Sequence, residues 1–177
     1  MKAFFRAAWA TPLLCAALVA AQEPAATPVK DLPNYYEVLP NLGGGGQPTD
    51  QGFRVLAEKG YQAVINLRAE GEKVDLAAEE KLIKDLGMKY VPLPFVTKDA
   101  KEESALHFMK LLEDMKEQKV YVHCASGNRV GSLMLIDLVL RQGMDMQKAE
   151  EIAAKVGLSS DPLRQYARQV IESQKNK

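Results

Sequence analysis

One ten-residue stretch concentrates the side chains able to do chemistry: His123-Cys124-Ala125-Ser126-Gly127-Asn128-Arg129-Val130-Gly131-Ser132. A glycine-containing loop that leads into a helix gathers backbone N–H donors around one point, and the helix N-terminus adds partial positive charge. That combination makes an anion cradle. Arg129 adds a planar fork of donors suited to phosphate or sulfate oxygens. Cys124, at the base, feels the same field, which favours the thiolate, the form that attacks. A thiolate beneath a bound tetrahedral anion is placed for in-line attack, so the segment fits nucleophilic catalysis on an anionic ester. Blander roles fit the same residue types. A cysteine at a strand end can be a small buried apolar residue, His123 a hydrogen-bonded core histidine, and Gly127 and Gly131 simple turn formers.

The elements around this stretch place it at a strand-to-helix junction. Tyr61–Leu67, Met88–Phe95 and Lys119–His123 are β-rich runs. Between them lie helical patterns with clear punctuation. Thr49 or Asp50 caps a helix stopped by Gly60, and Asp75 caps another stopped by Gly87. A third starts near Glu102 with Ala105, Phe108, Leu112 and Met115 on one face. From Leu133 to Leu140 only Asp137 is polar, so this fourth helix belongs in the middle of the domain; Gly143 ends it, and Asp145 caps a fifth running to Gly157. Strands alternating with helices predict an α/β domain with a mainly parallel central sheet flanked by helices. Ligands of such sheets bind at the carboxyl ends of the strands, where the loop after His123 sits.

The chain has 177 residues, 47% of them apolar, and balances 23 basic against 23 acidic side chains. That length suits one domain with a tail. The balance, with no basic block, speaks against a nucleic-acid partner. Two histidines and two cysteines are too few for most zinc cages, so neither metal nor cofactor is expected. Lys2 and Arg6, the apolar run Ala7–Ala20 and the small residues Val19-Ala20-Ala21 read as a signal peptide over residues 1–21. The run is shorter than the ~20 residues a spanning helix needs, so no membrane role is expected after cleavage. A periplasmic or secreted protein follows as the expectation. Cleavage removes Cys15 and leaves Cys124 as a lone thiol in an oxidising compartment, either buried and inert or kept for its reactivity. Pro24, Pro28 and Pro33 among small residues make 22–33 a linker, and 34–177 the domain.

His123-Cys124…Gly127…Arg129…Gly131 resembles the signature loop of the cysteine-dependent protein tyrosine and dual-specificity phosphatases. Tyr35-Tyr36-Glu37-Val38…Gly45-Gly46-Gln47-Pro48-Thr49 and Ala63-Val64-Ile65-Asn66-Leu67-Arg68 are similar to bacterial phosphatase-like domains that occur fused to β-lactamase-like hydrolases or NAD kinase-like partners. The resemblance spans about Asn34 to Gly157. It implies a tyrosine-phosphatase-like fold and a phosphorylated substrate, with Cys124 as nucleophile and a phosphocysteine intermediate. Arg129 and the amides of Ala125–Val130 would hold the phosphoryl oxygens, and His123 would support the cysteine. It also implies a general-acid aspartate on the loop after the preceding strand. In Pro94–Ala100 only Asp99 qualifies by type, with Glu102 or Glu103 as substitutes; Asp99 equally suits a helix cap or a solvated loop charge.

Two positions depart from the phosphatase pattern. Four residues, not five, separate Cys124 from Arg129, a spacing shared with the persulfide loop of rhodanese-type sulfurtransferases and with short loops of the bacterial group. Val130 stands where a hydroxyl usually helps the thiolate leave, so Ser126 or Ser132 would have to substitute. Arg68, at a strand end, adds positive field or pairs with Glu70 or Glu72. A sulfurtransferase and a catalytically weak phosphate-binding module are the rival functions.

Overall fold

Apart from one glycine-rich strand, the strands form where β-branched and aromatic residues stand between glycine and polar stops. The computed structural model describes residues 30–177; the signal peptide and most of the linker read from the sequence lie outside the described residues. Five strands, β1 (Tyr36–Leu39), β2 (Leu42–Gly45), β3 (Ala63–Asn66), β4 (Lys89–Pro92) and β5 (Val120–His123), make one sheet in the order β1-β2-β5-β3-β4. β1 pairs antiparallel with β2, and every other pairing is parallel. The α/β class and the mainly parallel sheet are therefore as expected from the alternation. The strands are shorter than the apolar runs. Asn66 turns its side-chain oxygen onto the Arg68 N–H at 2.7 Å, closing β3 with a side-chain turn, and Pro92 and Pro94 offer no N–H to extend β4.

Six helices cover the sheet: α1 (Asp50–Glu58), α2 (Leu76–Asp85), α3 (Glu102–Asp114), α4 (Asn128–Leu140), α5 (Met146–Val156) and α6 (Asp161–Lys175). Thr49 caps α1 by accepting the Gly52 N–H at 3.1 Å, and Asp75 caps α2 through Ala78 at 3.0 Å. Alternation along the strands sends residues to two cores. Ile65, Val120 and Val122 join Phe108, Leu133 and Ile136 beneath α3 and α4. Val64 and Tyr121 join Leu32, Phe53, Leu56 and Ile83 beneath α1 and α2. The ten residues Val130–Val139 of α4 are all buried, which is why that helix is apolar nearly all round.

Gly43, Gly44 and Gly45 lie in β2 beside the central β5, where a side chain at Gly43 would run into the Tyr61 hydroxyl and one at Gly45 would stand 2.6 Å from the Tyr121 hydroxyl. The domain, expected from residue 34, begins earlier. Leu32 is 1% exposed, and Thr49 donates its N–H to the Asp31 carbonyl at 3.0 Å, so Asp31–Pro33 pack as part of the fold.

Candidate active site

β5 sits between β2 and β3, and its last residue, His123, is in register with Gly45 on one side and Asn66 on the other. The loop after it therefore leaves from the centre of the sheet's carboxyl edge. Strand alternation sends His123 toward α1 and α2, and Cys124 into the core beneath α4.

Cys124 is a free cysteine, 1% exposed. Gly127 takes a left-handed φ of +86° and donates its N–H to the Cys124 sulfur at 3.2 Å. Two carbonyls of the loop are turned outward and held there. Ala125 O accepts from the Gln47 N–H at 3.1 Å, and Ser126 O accepts from Asn34 Nδ2 at 3.0 Å. Each peptide is planar and trans, so a carbonyl pulled outward sends the next N–H the other way. The N–H of Gly127 follows that geometry onto the sulfur, and the N–H of Ser126 is oriented by the same rule. The first-turn amides of α4, Asn128 and Arg129, find no backbone or side-chain acceptor among the described residues, as at the start of any helix without a side-chain cap. The Asn128 side-chain oxygen accepts the Ser159 and Ser160 N–H groups, each at 2.8 Å, and fastens the loop to the α5–α6 turn.

Arg129 is anchored on one edge. Its Nη1 donates to Leu67 O and Phe95 O, each at 3.2 Å, and its Nη1 and Nη2 grip the two oxygens of Glu72 at 2.7 and 2.8 Å. The Glu72 hydrogen bond is the largest cause of a guanidinium pKa above the ordinary value; burial opposes it, and the Cys124 sulfur adds to it. The arginine thus faces a carboxylate with one edge and the sulfur's surroundings with the other. Glu72 also accepts from Arg68 Nε at 3.0 Å and from the Ala69 N–H at 2.9 Å. Chiefly through Arg129, its carboxyl is held down to about 2.

Of the residues singled out in the sequence, Cys124, Arg129 and the loop Ala125–Asn128 come together at one point. Val130 turns its side chain away beneath β2, where a side chain on Gly44 would stand 2.8 Å from it, and leaves only its amide near the loop. Ser132 does not reach the loop: it is fully buried and donates its hydroxyl to Leu163 O at 3.1 Å, so it is a core contact to α6 rather than a substitute hydroxyl. Ser126 is exposed on the crest. Arg68 pairs with Glu72, one of its two expected partners. Asp99 ends a short 3-10 turn, Thr97–Asp99, and is exposed; the same loop supplies Phe95 O to Arg129. Tyr35 packs against Tyr61 and Tyr121 and does not line the loop.

Sequence reasoning missed Glu72, Glu79, Gln47 and Asn66 as parts of the site. The signal was present for three of them: Gln47 and Asn66 are polar residues at the ends of buried strands, and Glu79 shares a helix face with Leu82 and Ile83. Among the described residues, no group of histidine, cysteine, aspartate or glutamate side chains is arranged to hold a metal ion, and no helix is long and apolar enough to cross a membrane.

The chain resembles known proteins over this whole region. It is 28% identical over 119 residues to the beta-lactamase hydrolase-like protein of Xylella fastidiosa (strain Temecula1 / ATCC 700964), covering 66% of this chain and 27% of that one. It thus spans about a quarter of the length of the curated relatives it matches. Among solved structures, the DUF442 protein of Shewanella putrefaciens CN-32 superposes with a TM-score of 0.69 at 23% identity, over 81% of this chain and 92% of that one. P. aeruginosa TpbA, also solved in complex with pTyr, superposes with a TM-score of 0.65 at 20% identity, over 81% and 91%. The family described as DSP-PTPase phosphatase fused to NAD+ kinase matches residues 37–174, from β1 to the end of α6, and the chain belongs to it, within the cysteine-dependent tyrosine and dual-specificity phosphatase superfamily.

Proposed function

We propose that the chain hydrolyses phosphomonoesters through a phosphocysteine at Cys124. The observation that carries this reading is the Gly127 N–H aimed at a buried sulfur, with the Arg129 guanidinium beside it. In the first step the Cys124 sulfur bonds to phosphorus, and the bond from phosphorus to the ester oxygen breaks. The loop amides and the free edge of Arg129 hold the phosphoryl oxygens as charge shifts onto them. The departing oxygen takes a proton from Asp99, on the loop rooted at Phe95. In the second step water attacks phosphorus, gives a proton back to Asp99, and expels the thiolate and inorganic phosphate. No hydroxyl follows Arg129 directly, so the second step is the slower one.

The test is release of inorganic phosphate from an aryl phosphate by the purified chain under reducing conditions, a probe whose choice the TpbA complex with pTyr supports. Phosphate release by the wild type and none by Cys124→Ser is the expected result. Silence of the wild type from mildly acidic to neutral pH overturns the reading. A gain of one sulfur on Cys124 after thiosulfate, without phosphate release, would assign the chain to sulfur transfer.

A further inference from the structure

Behind the cysteine loop lies a buried carboxylate that the chemistry above does not use. Glu79, on α2, is 7% exposed. One of its oxygens accepts Asn66 Nδ2 at 2.5 Å, from the end of β3; the other accepts Gln47 Nε2 at 2.6 Å, just beyond β2. The first oxygen also lies 3.2 Å from His123 Nε2, at the end of β5. One carboxylate therefore ties together the carboxyl ends of three adjacent strands, in the row where Gly45, His123 and Asn66 are in register. The rest of the imidazole is enclosed. Tyr121 stacks on it with ring centroids 6.4 Å apart, Phe53 meets it edge-on at 5.7 Å, and the ring is fully buried.

The Glu79 carboxylate, held in place by two side-chain amides, is the polar group that faces the ring, at 3.2 Å from Nε2. The approach is not aligned for a hydrogen bond, and neither ring nitrogen has a hydrogen-bond partner among the described residues. The ring's orientation then depends on Glu79 and on packing alone.

We propose that Glu79 is a positioning residue for Cys124, acting through His123: it fixes the tautomer and orientation of the imidazole next to the sulfur-bearing residue and holds the strand ends from which the loop springs. The proposal rests on Cys124 being the reactive thiol. Its charge, and not only its volume, is the working part, because Gln is isosteric but presents an amide to two amide donors and a ring N–H.

The experiment compares wild type, Glu79→Gln and Glu79→Asp for the rate of Cys124 labelling by iodoacetamide at one fixed pH, with thermal melts of each. It also follows the His123 ring N–H by proton NMR. His107, the other histidine, is exposed, so a ring proton protected from exchange belongs to His123. Labelling about tenfold slower in Glu79→Gln, with the protected ring proton lost and partial recovery in Glu79→Asp, is the expected result. Equal labelling with the ring signal unchanged overturns the proposal. Should Glu79→Gln not fold, Glu79→Met, of similar length and without the charge, carries the same comparison, and wild-type labelling and ring signal in it overturn the proposal equally. Labelling needs no turnover, so loss of the labelling effect and failure of phosphate release are separate outcomes.

Discussion

Arg129 owes its pose to Glu72, and that dependence can be measured. Replacing Glu72 with Gln leaves one acceptor oxygen for a fork that now grips two, so kcat/KM for an aryl phosphate should fall by about tenfold as the guanidinium loses its fixed orientation. The same pair sets a pH dependence. The Glu72 carboxyl is held down to about 2, below its ordinary 4.5, chiefly by the Arg129 hydrogen bond. Its contribution to stability is thus complete above the ordinary value and is lost as pH falls through about 2. The melting-temperature gap between wild type and Glu72→Gln should be widest near neutral pH and close between pH about 5 and about 2. Asp99 gives a second residue-scale expectation. Asp99→Asn should cut turnover of an alkyl phosphate by about a hundredfold and barely touch an aryl phosphate with a good leaving group. Equal losses on both would remove Asp99 from proton transfer. Cys124 and Arg129 were legible in the sequence because a cysteine and an arginine a few residues apart on one loop need no knowledge of the fold. Glu72 was not, because its partner Arg129 lies 57 positions away and only the fold brings them together.

At the scale of elements, the loop's curvature depends on one backbone position. Gly127 has a left-handed φ, and any side chain there would run into the Val156 carbonyl at the end of α5. Gly127→Ala should therefore cost about 1–2 kcal/mol from the backbone conformation alone, plus the shift of a helix end, and slow Cys124 labelling as the Gly127 N–H leaves the sulfur. A melt and an iodoacetamide time course read both. The helices around the loop were readable because Thr49, Asp75 and Asp145 cap them and Gly60, Gly87 and Gly157 stop them, all by local chemistry. β2 was not readable. Leu42-Gly43-Gly44-Gly45 has low strand propensity and is a strand only because Tyr61, Tyr121 and Val130 leave no room for side chains against β5.

At the scale of the molecule, the alternation of strands and helices was enough to read the α/β class, whereas the domain's start was hidden by its prolines. Leu32 lies in the core beneath α1 and α2 even though Pro28 and Pro33 bracket it. Leu32→Ala should cost about 2–5 kcal/mol in a denaturant melt, the usual range for an emptied leucine site, where a linker residue would cost nothing measurable. The far end of the chain is bound in as well. Asn128 is latched to Ser159 and Ser160, and Gly157 packs on Ser126, so residues from Asn34 to Ser160 must all be present before the socket exists. During synthesis Cys124 emerges well before that latch. A growing chain consequently carries Cys124 on an unfastened loop, and the socket closes only when the turn after α5 reaches Asn128.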